Sequence, residues 1–512
     1  MQSIYSEGSA PACPAPFNLA GHVLAAGAAT PGKSALQILR PTGAERWSYE
    51  RLIAAVRGTA TGFLQAGLVP GDRVLLRLGN TVEFPVAFLG AIAAGLVPVP
   101  TSTQLTVPEI TGMAAGLGAR LIVAGEGVTL PEGSPAPVLT EDALRGFEAL
   151  APAPWHMGDP ERPAYIIYTS GTSGTSRGVV HAHRAILGRA MMLQGWEGLG
   201  PTDRLLHAGA FNWTYTLGTG LMDPWTVGAT ALIPGAGTTT AQLPLLLKRF
   251  DATIFAAAPG VFRQMLRDQP NLPLPRLRHG LSAGEKLPAP IRAAWEAATG
   301  TPICEALGMS EISTFISAAP DRPAPDEATG WPQPGRRVAV LNAAGAPVPR
   351  GSPGTLAVHR ADPGLFLGYL DDPVETAARM QGDWFLTGDT VKMDAGGAIT
   401  YLGRADDMMN AGGFRVSPLE VEAAVAAHPA ITEVAAVELP VKAGASVIAV
   451  FYVASAEVTE DELQEHARTR LARYKEPRLW VQVDALPKNA NGKANRRALR
   501  DGWTDANRKT DP

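Results

Sequence analysis

Apolar residues recur at helical spacing from Tyr49 to Ala66, which predicts a helix there, and after a Gly71-Asp72 turn the run Arg73 to Leu78 is short and β-rich. The longest apolar stretch, 85–100, is interrupted by Gly90, Gly95 and Pro98. It is too short to cross a bilayer and predicts a buried helix ending in a strand. Two further apolar runs, 119–124 and 164–168, suit strands buried on both faces, and the second leads into a glycine-rich segment followed by a helix-like run. Such alternation is the pattern of an α/β fold. From 318 to 372 the text changes, with Gly330, Pro334, Gly335, Gly345, Gly351 and Gly354 marking a β-rich subdomain of tight turns.

After Gly403 the pattern becomes that of a compact α+β unit of about 110 residues, a normal domain size. Ser417-Pro418-Leu419-Glu420 and Thr459-Glu460-Asp461-Glu462 each read as a capping box that starts a helix. Strands are expected at 434–439, 446–453 and 479–483, the last leading into the loop 487–493. The expected class is α/β: a large amino-terminal domain, 1–404, of α/β sheet layers plus the β-rich subdomain, then a small α+β carboxy-terminal domain, 405–512.

Composition narrows the class further. A chain of 512 residues with 46% apolar and 18% charged residues is neither disordered nor a single small module. Lys plus Arg at 44 against Asp plus Glu at 48 marks neither a nucleic-acid binder nor a partner of anionic membranes. Cys13 and Cys304 lie too far apart for a disulfide framework or a zinc spacing, and no Lys or Arg precedes Lys33, so the charged start of a secretory signal is missing. A cytoplasmic setting is expected.

The chemistry-bearing stretch is Tyr168-Thr169-Ser170-Gly171-Thr172-Ser173-Gly174-Thr175-Ser176-Arg177-Gly178-Val179. Small hydroxyls and bare amides suit a polyphosphate. A Walker loop would need a lysine, and none occurs between Lys33 and Lys248, so Arg177 is the candidate cation. The bland alternative, a flexible linker, fits poorly with a fixed glycine spacing after a buried strand.

This stretch resembles the T-S-G-[ST]-T-G-x-P-K-G signature of the acyl-adenylate-forming superfamily, and further stretches match in the same order. Ser282-Ala283-Gly284-Glu285 resembles S-G-G-E, and Leu307-Gly308-Met309-Ser310-Glu311 resembles Y-G-x-T-E. Trp384 to Asp389 resembles the family's aspartate motif, Gly403 to Asp407 its G-R-x-D-D hinge, and Leu486 to Lys493 its carboxy-terminal lysine loop. The resemblance implies that Thr169, Ser170, Gly171, Thr172, Ser173, Gly174, Arg177, Gly284, Glu285, Glu305, Leu307, Gly308, Asp389 and Arg404 bind ATP. It implies catalytic roles for Ser310, Glu311 and Lys493, with Glu311 also holding Mg2+. Asp406 would be the hinge of a mobile carboxy-terminal domain, and Gly412 and Gly413 would face coenzyme A. The acyl pocket would include Phe211, Trp213, Tyr215, Gly284 and Met309. Lys488, Arg496 and Arg497 read as surface charge.

Three departures stand out: Arg177 replaces the family's lysine, Ser176 its proline, and Leu307 the aromatic. The aliphatic residue and the run 416–422 resemble the benzoate-CoA ligase branch. The implied activity is an ATP-dependent carboxylic acid-CoA ligase working by an acyl-adenylate, with Mg2+, ATP and coenzyme A as cosubstrates. Its acid would be aromatic, alicyclic or short-to-medium acyl, and it would act as a monomer or homodimer. Two readings compete: a free-standing adenylation protein loading a carrier-protein pantetheine, for which Asp223 is the obvious amine-binding acid, and a catalytically silent nucleotide-binding regulator.

Overall fold

The computed structural model describes residues 1–512 apart from 134, 171–175, 270, 326, 406, 412–413, 443–444, 472, 489–491 and 509–512. The chain divides into two compact units, a larger one of residues 5–338 and 358–385 and a smaller one of residues 1–4, 339–357 and 386–512.

The larger unit is built on a nine-stranded sheet. Its order is Trp331–Pro332, Ser313–Ser317, Ile303–Met309, His279–Ala283, Ile254–Ala257, Arg204–His207, Thr230–Pro234, Ser34–Arg40 and Gly43–Ser48. Interior pairs run parallel and both ends run antiparallel. Ile254–Ala257 and His279–Ala283 are buried throughout, as strands covered on both faces must be.

A second, wholly parallel sheet contains Val97–Pro100, Arg73–Arg77, Leu121–Ala124 and Val138–Thr140. The expected helix-to-strand stretch is found as Glu83–Ala93, every residue of it buried, followed by Val97–Pro100. Phe84 and Phe88 on that helix each contribute about 1.5–3 kcal/mol by leaving water. The expected first helix spans Tyr49–Gln65, and Ser48 caps it by accepting from the Arg51 amide at 3.2 Å.

One expectation fails at the glycine segment. Strand Pro163–Ser170 is followed by strand Ser176–Ala182, not by a helix, and the two pair antiparallel with Gly368–Tyr369 on the far edge. Val179 and Val180 favour the pleated strand, and helical spacing begins only at Ala185.

In the smaller unit, Ile431–Lys442 pairs antiparallel with Ala445–Ala454, which pairs parallel with Leu479–Gln482. One sheet face buries Ala436, Ile448 and Val450 with Val421, Val425 and Leu463 from helices Pro418–Ala426 and Glu460–Arg468. The other buries Ala435, Val437 and Phe451 with Leu499. The Thr459 capping box is present, with Glu462 Oε2 accepting from the Thr459 amide at 2.8 Å. The one expected at Ser417 is not: the helix starts there, but the Ser417 hydroxyl donates to the Leu402 carbonyl. No described helix is long and apolar enough to cross a membrane.

Candidate active site

Three predicted segments leave the carboxyl ends of parallel strands in the nine-stranded sheet, the edge where open α/β sheets place ligands. Arg204–His207 leads to 208–216, His279–Ala283 to Gly284, and Ile303–Met309 to Ser310.

The tightest of these is the hairpin from Met309 to Ser313. Its register shifts between Leu307 and Gly308, and a Cβ at Gly308 would lie 2.6 Å from the Ser313 carbonyl oxygen, so glycine is needed there. Ser313 occupies the left-handed region at φ 67°, which a serine adopts only when held. The Ser310 carbonyl accepts from His181 Nε2 at 2.8 Å, and the His181 ring stacks on Tyr165 at 4.7 Å between centroids. Burial pushes His181 down to about 4, so it is neutral at physiological pH and keeps a single ring proton for this bond.

Glu311 is anchored at its backbone by the Phe366 amide, 2.8 Å, and at Oε1 by the Tyr369 hydroxyl, 2.7 Å. Among the described residues, nothing in the protein takes its Oε2. A carboxylate with one open oxygen is a suitable hard ligand for Mg2+. Burial, followed by the neighbouring Glu311 carboxylate, raises the Tyr369 phenol, so it stays protonated and donates. The same ring lies 5.6 Å beneath the Arg177 guanidinium, whose Nη1 donates to Glu375 Oε1 at 3.0 Å. Arg379 Nε holds that carboxylate as well, at 3.1 Å. Arg177, expected to face phosphate, is therefore directed at Glu375.

Thr169 pairs with Arg177 and Ser170 with Ser176 across the hairpin, while Gly171, Thr172, Ser173 and Gly174 lie outside the described residues.

On the acyl side, Gly284 has φ 98°, and a Cβ there would lie 2.6 Å from Trp213 Cζ2. The residue is glycine on both counts. Trp213 meets Tyr215 edge-on at 5.2 Å, and the Tyr215 hydroxyl donates to the Leu281 carbonyl at 3.0 Å. Phe211 departs from this group. Its ring stacks on Phe84 at 4.9 Å inside the core that the helices bury, because aromatic stacking there outweighs exposure at the pocket. Met309 and Leu307 are half-buried, and Glu285 is exposed.

Glu305 is placed differently from expectation. Only 2% exposed, it accepts from Lys286 Nζ at 3.3 Å, Arg292 Nη2 at 3.0 Å and the Leu287 amide at 3.0 Å, so its charge is spent inside the protein. Asp223 is likewise engaged, both oxygens being taken by Arg189, Oδ1 at 2.8 Å from Nε. An amine-bearing substrate would find no acid there.

In the smaller unit, Asp389 and Arg404 face each other across adjacent strands, with Arg404 Nη1 3.2 Å from Asp389 Oδ1 and 3.0 Å from the Thr387 carbonyl. The Asp389 amide donates to Thr387 Oγ1 at 3.1 Å within strand Trp384–Met393, where Asp389 is buried. Lys493 is half-buried, just before the Lys488–Ala494 bridge closes its loop. Asp406, Gly412 and Gly413 lie outside the described residues. Arg496, read from sequence as surface charge, is instead largely enclosed: its Nη2 lies 2.7 Å from both oxygens of Glu422, and Nη1 is 3.6 Å from Asp407. Burial raises the Glu422 carboxyl, against the pull of Arg496.

Sequence reasoning missed Tyr369, Glu375 and Arg189. Tyr369 sat in a Pro/Gly-rich stretch whose only local signal was a glycine beside an aromatic, and the other two gain meaning only from partners distant in sequence.

The family model described as AMP-binding enzyme matches residues 24–370, and that described as AMP-binding enzyme C-terminal domain matches 420–493. The chain is 32% identical over 461 residues to a benzoate–CoA ligase of Thauera aromatica, covering 85% of this chain and 86% of the relative. It is 31% identical over 526 residues to the mitochondrial acyl-coenzyme A synthetase ACSM2 of Rattus norvegicus, covering 95% and 92%. Among solved structures, a benzoate CoA ligase from Burkholderia xenovorans LB400 superposes with a TM-score of 0.85 at 30% identity, covering 94% of this chain and all of that one.

Proposed function

The chain belongs to the AMP-binding enzymes, and on that premise we propose that it is an ATP-dependent ligase joining a carboxylic acid to coenzyme A through an acyl-adenylate. The observation that carries the reading is the Ser310–Glu311 turn. It offers one open carboxylate oxygen at the ligand edge of the parallel sheet, just past strand Ile303–Met309, whose neighbour His279–Ala283 leads to Gly284, against which Trp213 packs.

In the first half-reaction a carboxylate oxygen of the acid attacks the α-phosphorus of Mg·ATP. The bond to pyrophosphate breaks and a mixed anhydride with AMP forms. No protein nucleophile is needed, so catalysis is positioning and charge neutralisation. Glu311 is assigned to Mg2+ and Ser310 to phosphate. Arg177 supplies phosphate charge by exchanging Glu375 for it. Asp389 accepts from ribose hydroxyls, its geometry set by Arg404 and Thr387, and Lys493 meets the charge that builds at phosphorus. In the second half-reaction the thiol sulfur attacks the acyl carbon, the bond to AMP breaks, and the thiol proton passes to solvent. We assign residues 1–404 to adenylation and 405–512 to a mobile domain hinged at Asp406, with Gly412 and Gly413 giving the thiol arm close passage.

The edge-on Trp213–Tyr215 pair against Gly284 favours a flat aryl or alicyclic acid. The carrier-loading reading of an aminoacyl substrate loses support because Asp223 is already neutralised. A cytoplasmic monomer or homodimer completes the proposal.

The test is AMP release from Mg·ATP with a panel of benzoates, alicyclic acids and short-to-medium fatty acids, with and without coenzyme A. CoA-dependent AMP with an aryl or alicyclic acid is the expected result. Adenylate without CoA turnover would move the acceptor to a carrier protein, and silence with every acid would overturn the ligase reading.

A further inference from the structure

Behind the acyl wall lies a buried charge cluster that the proposed chemistry does not use. Arg189, on the short helix Ala185–Ala190, is 3% exposed. Its Nε and Nη2 hold both oxygens of Asp223, Nη2 also donates to Thr219 Oγ1 at 2.9 Å, and Nη1 donates to Ser313 Oγ. Glu197, wholly buried, stands 4.0 Å from the same guanidinium, and its carboxyl sits in hydrogen-bonding reach of Asp223 and Thr219. Burial first, then Asp223, pushes its carboxyl well up, so it is uncharged and the cluster is neutral as one cation and one anion.

The partners of Arg189 are what give it meaning. Thr219 belongs to the π-helical turn Thr216–Met222, which continues directly from Trp213 and Tyr215. Such turns are unusual and concentrate at functional sites. Gly218 in that turn has no room for a Cβ because the Arg189 guanidinium occupies the place. Ser313 closes the hairpin whose tip is Ser310–Glu311, and it is the residue held at φ 67°. A second buried arginine reinforces the arrangement: Arg336 Nη2 donates to the Gly188 carbonyl at 2.6 Å and to the Thr314 carbonyl at 3.1 Å, so the helix carrying Arg189 is tied to the same strand.

We propose that Arg189 is a positioning residue that fixes the Ser310–Glu311 turn to the acyl-pocket wall, setting the distance between the acid's carboxylate and the α-phosphate. The proposal rests on the ligase reading. A planar guanidinium suits the task because its donors point in fixed directions at three partners, which an ammonium cannot match. In-line attack requires reacting atoms at about 3–3.5 Å, and a misplacement of about 1 Å is worth on the order of 10²-fold in rate.

The experiment measures pyrophosphate release in the adenylation half-reaction for wild type, Ser313→Ala, Thr219→Val, the double variant and Arg189→Lys, varying acid and Mg·ATP separately, with thermal melts alongside. Ser313→Ala is expected to lower kcat about tenfold with the acid KM little changed, and Thr219→Val to raise the acid KM by a similar factor. Because both act through one guanidinium, the double variant should lose far less than the product of the two, and Arg189→Lys should keep the fold while losing about as much as the double variant. Multiplicative losses, or unchanged kinetics in variants whose melts shift, would reduce the cluster to a structural one and overturn the proposal. Wild-type silence with every acid would remove the ligase reading beneath it, whereas an active wild type with indifferent variants would sink the positioning role alone.

Discussion

Arg189 and Arg496 each lie between two acids, and they differ in how much water reaches them. Arg189 and Asp223 have side chains 4% and 1% exposed, whereas Arg496, Glu422 and Asp407 show 18%, 12% and 21%. In the larger unit the charges are sealed among packed strands and helices, so each partner is indispensable. In the smaller unit Asp407 bridges Arg496 and Arg500 at 3.6 and 3.3 Å, distances at which water competes. The difference teaches that this buried cluster of the larger unit serves architecture first, while the Asp407 cluster of the smaller unit is left partly open to water.

The sharpest break of that contrast is Asp223→Ala. It would strip a buried guanidinium of the carboxylate that holds its Nε and Nη2, and a loss of about 3–5 kcal/mol in urea unfolding is expected. A loss under 1 kcal/mol would show that the cluster is not sealed. Next in size is Lys493→Ala, which should cost adenylate formation on the order of 10²- to 10³-fold while leaving stability, and the conversion of supplied acyl-adenylate to thioester, close to wild type. Equal loss of both half-reactions would sink that assignment, and no loss in either would return Lys493 to a surface role.

A third effect is set by pH. His181 is pushed down to about 4 in the folded chain by burial, against an ordinary 6.5 when unfolded. The folded state therefore binds fewer protons, and the stability His181 provides is complete above about 6.5 and drains away as pH falls towards 4. Between pH 7.5 and 5 this is on the order of 2 kcal/mol. His181→Gln keeps a donor for the Ser310 carbonyl, so urea melts at the two pH values should show the variant losing less on acidification. An identical loss would mean that this histidine titrates normally.

The sequence carried the parts of this molecule whose cause is local. The helix from Tyr49, the buried run through Val97, the Thr459 capping box and the strands flanking 445 follow from side-chain period and capping chemistry. Glu311, Asp389 and Arg404 could be singled out because each belongs to a short, ordered text, while most of the glycine segment lies outside the described residues. What escaped depended on distance along the chain. Arg189 meets Asp223 and Ser313 only after the sheet is assembled, and Glu305 is neutralised by Lys286 and Arg292 from the next loop and helix. Arg496 finds Glu422 across the whole small unit. At Ser417 the local signal was real but lost to a tertiary carbonyl, and after the glycine segment two valines outweighed an apparent helical run.

The smallest expected effect tests the other side of the comparison. Asp407→Asn removes a charge that is about one-fifth exposed and shared between two arginines, while Glu422 still holds Arg496 through paired 2.7 Å contacts. Screening by solvent limits such a pair to about 1 kcal/mol or less, so the melting midpoint should barely move. Asp407 neighbours the proposed hinge at 406, so a substitution that is mild for stability should still alter the ratio of thioester formation to adenylation, and added salt should mimic it by weakening the same pair. A stability loss of several kcal/mol with an unchanged ratio would invert the reading: the half-open cluster would then be as architectural as the sealed one, and charge at the hinge would have to be sought elsewhere in the smaller unit.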